Sequence, residues 1–459
     1  MNAHKICFIM CVNNELYKTE CISYIERLKL PDEFEREIIP VRGALSMTSG
    51  YNQAMRCSDA KYKVYLHQDV FLVNRNFIYD ILKLFENPRI GLIGMVGGLD
   101  VDKTPVMWKG RRVGFLYTDA IVMANSSKFG KIHGGYMEVQ AVDGFLMATQ
   151  YDIPWREDIL KNWDFYDVSQ SVEFRRQSYQ VVVPYMENPW CVHDDGFVNF
   201  KNYYHELEIF LWEYAWDGCG FGVDGLKRQE EHMKTGEWDR DQFLESIEQE
   251  KQKEKEKQQL RERYADYREK IDALLEKKAY GQLQDYFQTE EIKVLSNIED
   301  DVALFCIILS IYSMEVEEGV EPGILDGVRN MQEIEERWLK LKFLMWKMEF
   351  TEEKEKLAEF LERYQISVPF LKYLVNTSSF DKANTAFKLA MILKNAQKPI
   401  AAFAMLNYAN ELAPNEELVF CEMADICMNL GQYKEAQECI RRIENPTGIL
   451  VAYLERWGV

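Results

Sequence analysis

The stretch "KYKVYLHQDVFL", residues 61–72, reads as a β-strand that runs into His67, Gln68 and Asp69 and turns apolar again at Val70. Taken alone, an aspartate at the end of a buried strand is a common turn residue, because its side chain bonds the nearby main chain. The neighbouring chain changes that reading. Residues 6–12 form an apolar strand, 15–30 a helix with Ile22, Ile25 and Leu28 on one face, and 37–41 a second strand. Then follow a helix over 46–57, the strand 62–66, a helix over 77–85 and a strand over 90–96. Strands alternating with helices predict a mostly parallel sheet covered on both faces. Ligands of such sheets bind beyond the carboxyl ends of the strands. Asn13 and Asn14 follow the first strand, Arg42 the second and His67 to Asp69 the third, so polar groups converge on one edge.

Residues 99–141 are Gly-rich and irregular, and are expected to form an insertion of strands and loops. Residues 142–184 read as strand, loop, short helix, a longer helix over 166–177 and a closing strand at 181–183. "NPWCVHDDGFVNF" follows, gathering aromatic and acidic residues around one histidine.

The composition changes from Asp241. "ESIEQEKQKEKEKQQLRERYADYREK" is a charge-dense helix with opposite charges three apart at Glu248/Lys251, Glu250/Lys253 and Glu254/Lys257. Toward its C-terminal end Leu260, Tyr264, Tyr267, Ile271 and Leu274 form a single apolar seam, which could pair within or between chains. The remaining chain is helical and carries a repeat, with Ala390 set against Ala424 and Ala402 against Ala436. These small residues, with Gly431, Tyr433 and Pro414, resemble tetratricopeptide positions, where paired helices pack closely. The expected division is a domain over 1–222, a linker with the charged helix over 223–278, and a helical domain over 279–459.

Bulk properties narrow the function classes. With 459 residues and 47% hydrophobic content the chain buries a large core. A net charge of −20 repels nucleic acid and anionic lipid. The ten cysteines show no CxxC pair or zinc spacing, which fits buried thiols in a reducing, cytoplasmic setting. No stretch approaches ~18 uninterrupted apolar residues. A dinucleotide-binding oxidoreductase is disfavoured, since "VNNE" stands where G-x-G-x-x-G would follow the first strand.

Three stretches over the first half of the chain resemble glycosyltransferases of the family-2 kind with a GT-A fold, in the bacterial subgroup related to the sugar transferase of streptomycin biosynthesis. They are "GALSMTSGYNQAMRCSDAKYKVYLHQDV", "DGFLMATQ" with "FYDVSQSVEFRRQSYQVVVP", and "PWCVHDDG". The resemblance implies transfer of a sugar from a nucleotide-diphosphate donor, a UDP-sugar favoured, to a hydroxyl of a glycan, protein or small molecule. It also implies inversion and a divalent cation, Mn2+ or Mg2+, at an Asp-x-Asp motif. That motif is His67-Gln68-Asp69 here. Asp69 keeps the ligand role, His193 matches a histidine that completes the metal shell in some relatives, and His67 is a ligand, a ribose contact or neither.

By the same resemblance Asp167 falls where an acidic pair supplies the base, with Tyr166 replacing the first acid and Asp164 as nearest rival. For either aspartate a helix N-cap is the structural alternative. Asp143 would face sugar or acceptor. Asn13, Asn14, Arg42, Asn52 and Gln68 would surround the nucleotide, while Trp190 would stack on a pyranose or fill core. The competing reading is a GT-A-like domain without catalysis that acts through its helical repeats in an assembly.

Overall fold

The computed structural model describes residues 1–101, 105–119, 124–196, 200–214, 240–320, 323–378 and 380–458. The chain divides into two compact units, Met1–Ala120 with Ser126–Gln259, and Ile121–Asn125 with Leu260–Val459. The expected boundary at 222/223 lies outside the described residues.

The first unit is an α/β sheet domain. Its elements run β1 (Asn2–Val12), α1 (Glu15–Glu26), β2 (Glu35–Arg42), α2 (Met47–Cys57), β3 (Ala60–Leu66), β4 (Val70–Leu72), α3 (Phe77–Phe85), β5 (Ile90–Gly94) and β6 (Val96–Gly98). After a 3-10 turn at Met107–Lys109 come β7 (Arg112–Asp119), β8 (Asn125–Phe129), β9 (Tyr136–Glu138), β10 (Ala141–Val142), β11 (Leu146–Thr149), α4 (Tyr166–Arg176), β12 (Gln180–Pro184), β13 (Cys191–Asp194) and α5 (Tyr203–Tyr214). The main sheet has the order β2-β1-β3-β11-β5-β12-β9, and a second has β10-β6-β7-β13-β4 with β8 paired to β7.

Ile6 to Met10 are wholly buried, as the unbroken apolar run of a strand covered on both faces requires. Asn14 caps α1, its side chain accepting from Leu16 N at 2.9 Å and Tyr17 N at 3.2 Å. Gly50 lets α2 approach β1: a Cβ there would stand 2.6 Å from Cys11 Sγ. The main sheet is less parallel than expected, with β9 at its edge running antiparallel to β12. β1 pairs with β2 and β3 in parallel, and β12 with β5, but β11 runs antiparallel to both β3 and β5. The chain reaches β11 through the strands of the second sheet and not through a crossover helix, so nothing forces it parallel.

The region 240–458 is helical throughout: α6 (Arg240–Arg263), α7 (Tyr267–Glu276), α8 (Tyr280–Phe287), α9 (Glu290–Leu295), α10 (Asp300–Glu317), α11 (Met331–Phe350), α12 (Glu355–Arg363), α13 (Val368–Thr377), α14 (Lys382–Asn395), α15 (Pro399–Leu412), α16 (Glu417–Asn429), α17 (Tyr433–Arg441) and α18 (Gly448–Trp457). Ala390, Ala402, Ala424 and Ala436 are each at most 2% exposed, at the close approaches of the α14–α15 and α16–α17 hairpins. The charged helix ends at Arg263, and the following turn shifts the seam, so that Leu275 and not Leu274 is fully buried beside Ile271. Glu248/Lys251 and Glu254/Lys257 pair along the helix, whereas Glu250 is drawn to Lys109 at 2.9 Å. No helix among the described residues is long and apolar enough to cross a membrane.

Candidate active site

Strand ends assemble the site. His67 leaves β3 with its N–H on Phe145 O at 3.0 Å, and Val70 N closes a turn onto His67 O at 3.3 Å. That turn starts β4, which pairs with β13 so that His193 stands opposite Val70. Asp194 N donates to Asp69 O at 3.0 Å, which sets Asp69 beside His193. His67 Nδ1 and His193 Nε2 each lie 3.8 Å from Asp69 Oδ1. Burial pushes the His67 imidazole down to about 4 and His193 well below its ordinary value, the latter helped by the charge of His67. Both rings are therefore neutral near pH 7, and the 3.8 Å separations are not ion pairs.

Ligand atoms of these three residues all lie within 4.8 Å of one another. An ion with ~2.1 Å bonds separates adjacent ligands by ~3 Å and opposite ones by ~4.2 Å, so small side-chain shifts close this set on a divalent cation. Two imidazoles and a carboxylate are donors that suit a first-row transition ion better than an all-oxygen magnesium site. His67 thus stands with Asp69 and His193 as a candidate third donor, with its ring braced from behind. Its Nε2 meets the Tyr166 hydroxyl at 2.5 Å, and Phe145 stacks on His193 with centroids 4.8 Å apart.

Tyr166 and Asp167 open α4. The residue before them, Phe165, has φ 55°, a left-handed conformation that costs a non-glycine residue about 1–2 kcal/mol. Strain of this kind gathers at functional sites. Gly144 receives the Tyr166 hydroxyl: a Cβ there would lie 2.2 Å from that oxygen. Asp167 accepts from Gly144 N at 2.9 Å and Val168 N at 2.8 Å, and Phe145 N reaches Asp143 Oδ1 at 3.4 Å. Burial raises both carboxyls, Asp167 to about 7 with the Asp143 charge adding to it, while main-chain donors and Arg112 pull Asp143 back. Asp167 thus keeps its proton up to about pH 7. Asp164, the rival base, is raised to about 6 by burial and by Glu206.

Asn13, Asn14, Arg42 and Gln68 meet at the carboxyl edge. Gln68 Oε1 accepts from Asn13 N at 3.0 Å and Asn14 N at 2.9 Å, pinning the ends of β1 and β3 together. Arg42 Nε donates to Glu15 at 2.9 Å, and Arg42 and Lys18 hold that carboxyl down to about 2. Asn52 and Trp190 stand apart. Asn52 is 2% exposed, donating to Trp155 O at 2.8 Å and accepting from Trp155 N at 2.9 Å, so its amide braces α2 against the 151–160 segment and does not face a nucleotide. The Trp190 ring packs edge-on to Phe77, and its carbonyl accepts from Val73 N and Asn74 N, a packing role. Tyr17 was not singled out by the sequence, yet its hydroxyl donates to Asp194 at 2.7 Å and ties α1 to the strand that carries His193. A tyrosine on the first turn of the helix after β1 faces the same strand edge, and that placement is the signal that was available.

Residues 7–214 match the family model described as glycosyltransferase like family, so the N-terminal unit carries a glycosyltransferase-like domain. No curated protein gives a significant match. Among solved structures, the mannosyltransferase PcManGT from Pyrobaculum calidifontis, in complex with GDP-Man and Mn2+, is 13% identical over 42% of this chain and 57% of its own, with a TM-score of 0.28. This chain spans little more than half of that enzyme's length. S. aureus TarS 1–349 in complex with UDP is 8% identical over 89% of this chain and 92% of its own, with a TM-score of 0.30. MamA of AMB-1 is 20% identical over 39% of this chain and 95% of its own, with a TM-score of 0.17.

Proposed function

We propose that the N-terminal unit is a metal-dependent glycosyltransferase that moves a sugar, with inversion, from a nucleotide-diphosphate sugar to a hydroxyl acceptor. One observation carries the reading: Asp69 sits between two neutral imidazoles at the carboxyl edge of the sheet, beside a buried carboxyl that holds its proton to about pH 7. His67, Asp69 and His193 would hold a divalent cation, Mn2+ favoured by the nitrogen donors. Such an ion, when bound, neutralises the charge that develops on a diphosphate leaving group.

The chain's own groups supply the rest. With Nδ1 turned to the ion, His67 carries its proton on Nε2 and donates it to the Tyr166 oxygen, which fixes tautomer and ring plane. Asp167, its two oxygens anchored by main-chain N–H groups, takes the proton from the attacking hydroxyl. Asn13, Asn14, Arg42 and Gln68 line the edge where a nucleotide would lie, a UDP-sugar being the favoured donor. The helical repeats of the second unit fit a tetratricopeptide-like packing, with a transferase domain over 1–222, a linker over 223–278 and a helical domain over 279–459.

Titration of Mn2+ into the full chain, followed by electron paramagnetic resonance of the free ion, tests the reading. One site per chain is expected, its affinity rising when UDP is present and the site being lost in Asp69→Ala. A site of equal affinity with and without every nucleoside diphosphate would contradict it.

A further inference from the structure

A second cleft opens on the same domain. The β7–β8 hairpin, the turn after it and the chain leaving β12 enclose about 470 Å³, lined by Phe115, Lys128, Lys131, His133, Tyr185 and Met186 among others. The cations are notable because the chain carries a net charge of −20. Lys5, Lys18, Lys63 and Lys109 in the same unit each hold a carboxylate. Among the described residues the side chains of Lys128 and Lys131, the two ammonium groups of the cleft, make no hydrogen bond or ion pair, and Lys128 Nζ lies instead 4.8 Å from the Phe115 ring centroid. With no counter-charge among the described side chains, the two ammonium groups repel one another, so the cleft favours an anion. Its aromatic walls, with Tyr185 52% exposed, also offer flat apolar faces to a ring.

The cleft is joined to the candidate active site through strands. Gly114, in its lining, pairs with Val96, whose carbonyl accepts from Asp143 N at 2.9 Å. Four residues further along β7, Thr118 pairs with His193, about 13 Å away along a strand.

We propose that this cleft is a saccharide subsite that binds acidic sugars, through Lys128 and Lys131 on a carboxylate or phosphate and through Phe115 and Tyr185 on the ring. Its role as an acceptor subsite rests on the sugar-transfer reading; its binding of acidic sugars does not. An acceptor of more than one sugar unit holds its acidic group here and presents a hydroxyl toward Asp167.

Calorimetric titration of the full chain, in chelator and without donor, uses glucuronate, glucose 6-phosphate, glucose and inorganic phosphate as probes. Both acidic sugars are expected to bind, glucose and phosphate at least tenfold more weakly. Lys128→Gln/Lys131→Gln should weaken the acidic sugars at least tenfold at an unchanged melting midpoint, and Asp69→Ala should leave them unchanged. Equal binding of glucose, binding of phosphate alone as tight as glucose 6-phosphate, absence of binding, or indifference to the lysine substitutions would each overturn the subsite. If acidic sugars bind while no nucleotide does, the saccharide site stands and its acceptor role falls.

Discussion

Asp167 ties stability and activity to pH with opposite signs. Its carboxyl is raised from 3.8 to about 7, first by burial and then by Asp143. Between those values the folded chain holds a proton that the unfolded chain has released, so stability falls as pH rises through that window. A base must instead be ionised, so turnover rises through about pH 7. Melting midpoints and rates measured from pH 5 to 8 should show both slopes, and Asp167→Asn should flatten the first while lowering turnover ~10²–10⁴-fold. Tyr166 acts through His67. Tyr166→Phe is expected to weaken Mn2+ binding ~10–100-fold in the same resonance titration, the usual cost of losing a partner behind a metal ligand. Asp69 and His193 came forward as candidate ligands only through the family resemblance, since a strand-end acid taken alone reads as a turn residue, and the fold now brings both within reach of one ion. The sequence left His67 open, because its role depends on which atom Tyr166 occupies, and that contact spans 99 positions.

At the scale of elements, β1, β2, β3 and β5 and their helices were legible because period and burial coincide, as in the apolar run of β1, whereas β4 and the break between β5 and β6 were not. The antiparallel insertion of β11 was not legible either, since a short apolar strand reads the same in either direction. Long-range partners were equally hidden. Glu250 has a lysine three residues away but pairs with Lys109, and Asn52 looks like a nucleotide contact until the Trp155 main chain is brought beside it. Asn52→Ala leaves a buried N–H and C=O without partners, which costs about 1–3 kcal/mol each at most. Denaturant unfolding should show a loss in that range, with nucleotide affinity of the folded variant unchanged.

Over the whole molecule, chemistry and packing separate by region. The helical region holds its own buried network: Asp425, 4% exposed, accepts from Lys394 at 2.5 Å and Trp457 Nε1 at 2.8 Å and pairs with Arg456. Asp425→Ala leaves Lys394 to Glu422 alone and deprives Trp457 Nε1 of its acceptor, and should cost about 1–3 kcal/mol in denaturant unfolding, without altering nucleotide binding. The net charge of −20 argued against nucleic acid from sequence alone, but the local cationic cleft was invisible there because Tyr185 and Met186, which wall it, are distant in sequence from Lys128 and Lys131. The central claim is metal-dependent recognition of a nucleotide sugar. Thermal unfolding of wild type and Asp69→Ala with UDP-, GDP-, CDP- and dTDP-sugars, with and without Mn2+, tests it most directly. A ligand at ~100 times its dissociation constant adds ~2.7 kcal/mol of stability. A shift with one nucleotide, dependent on Mn2+ and lost in Asp69→Ala, is the predicted result; no shift with any of the four would contradict the account and favour a non-catalytic scaffold.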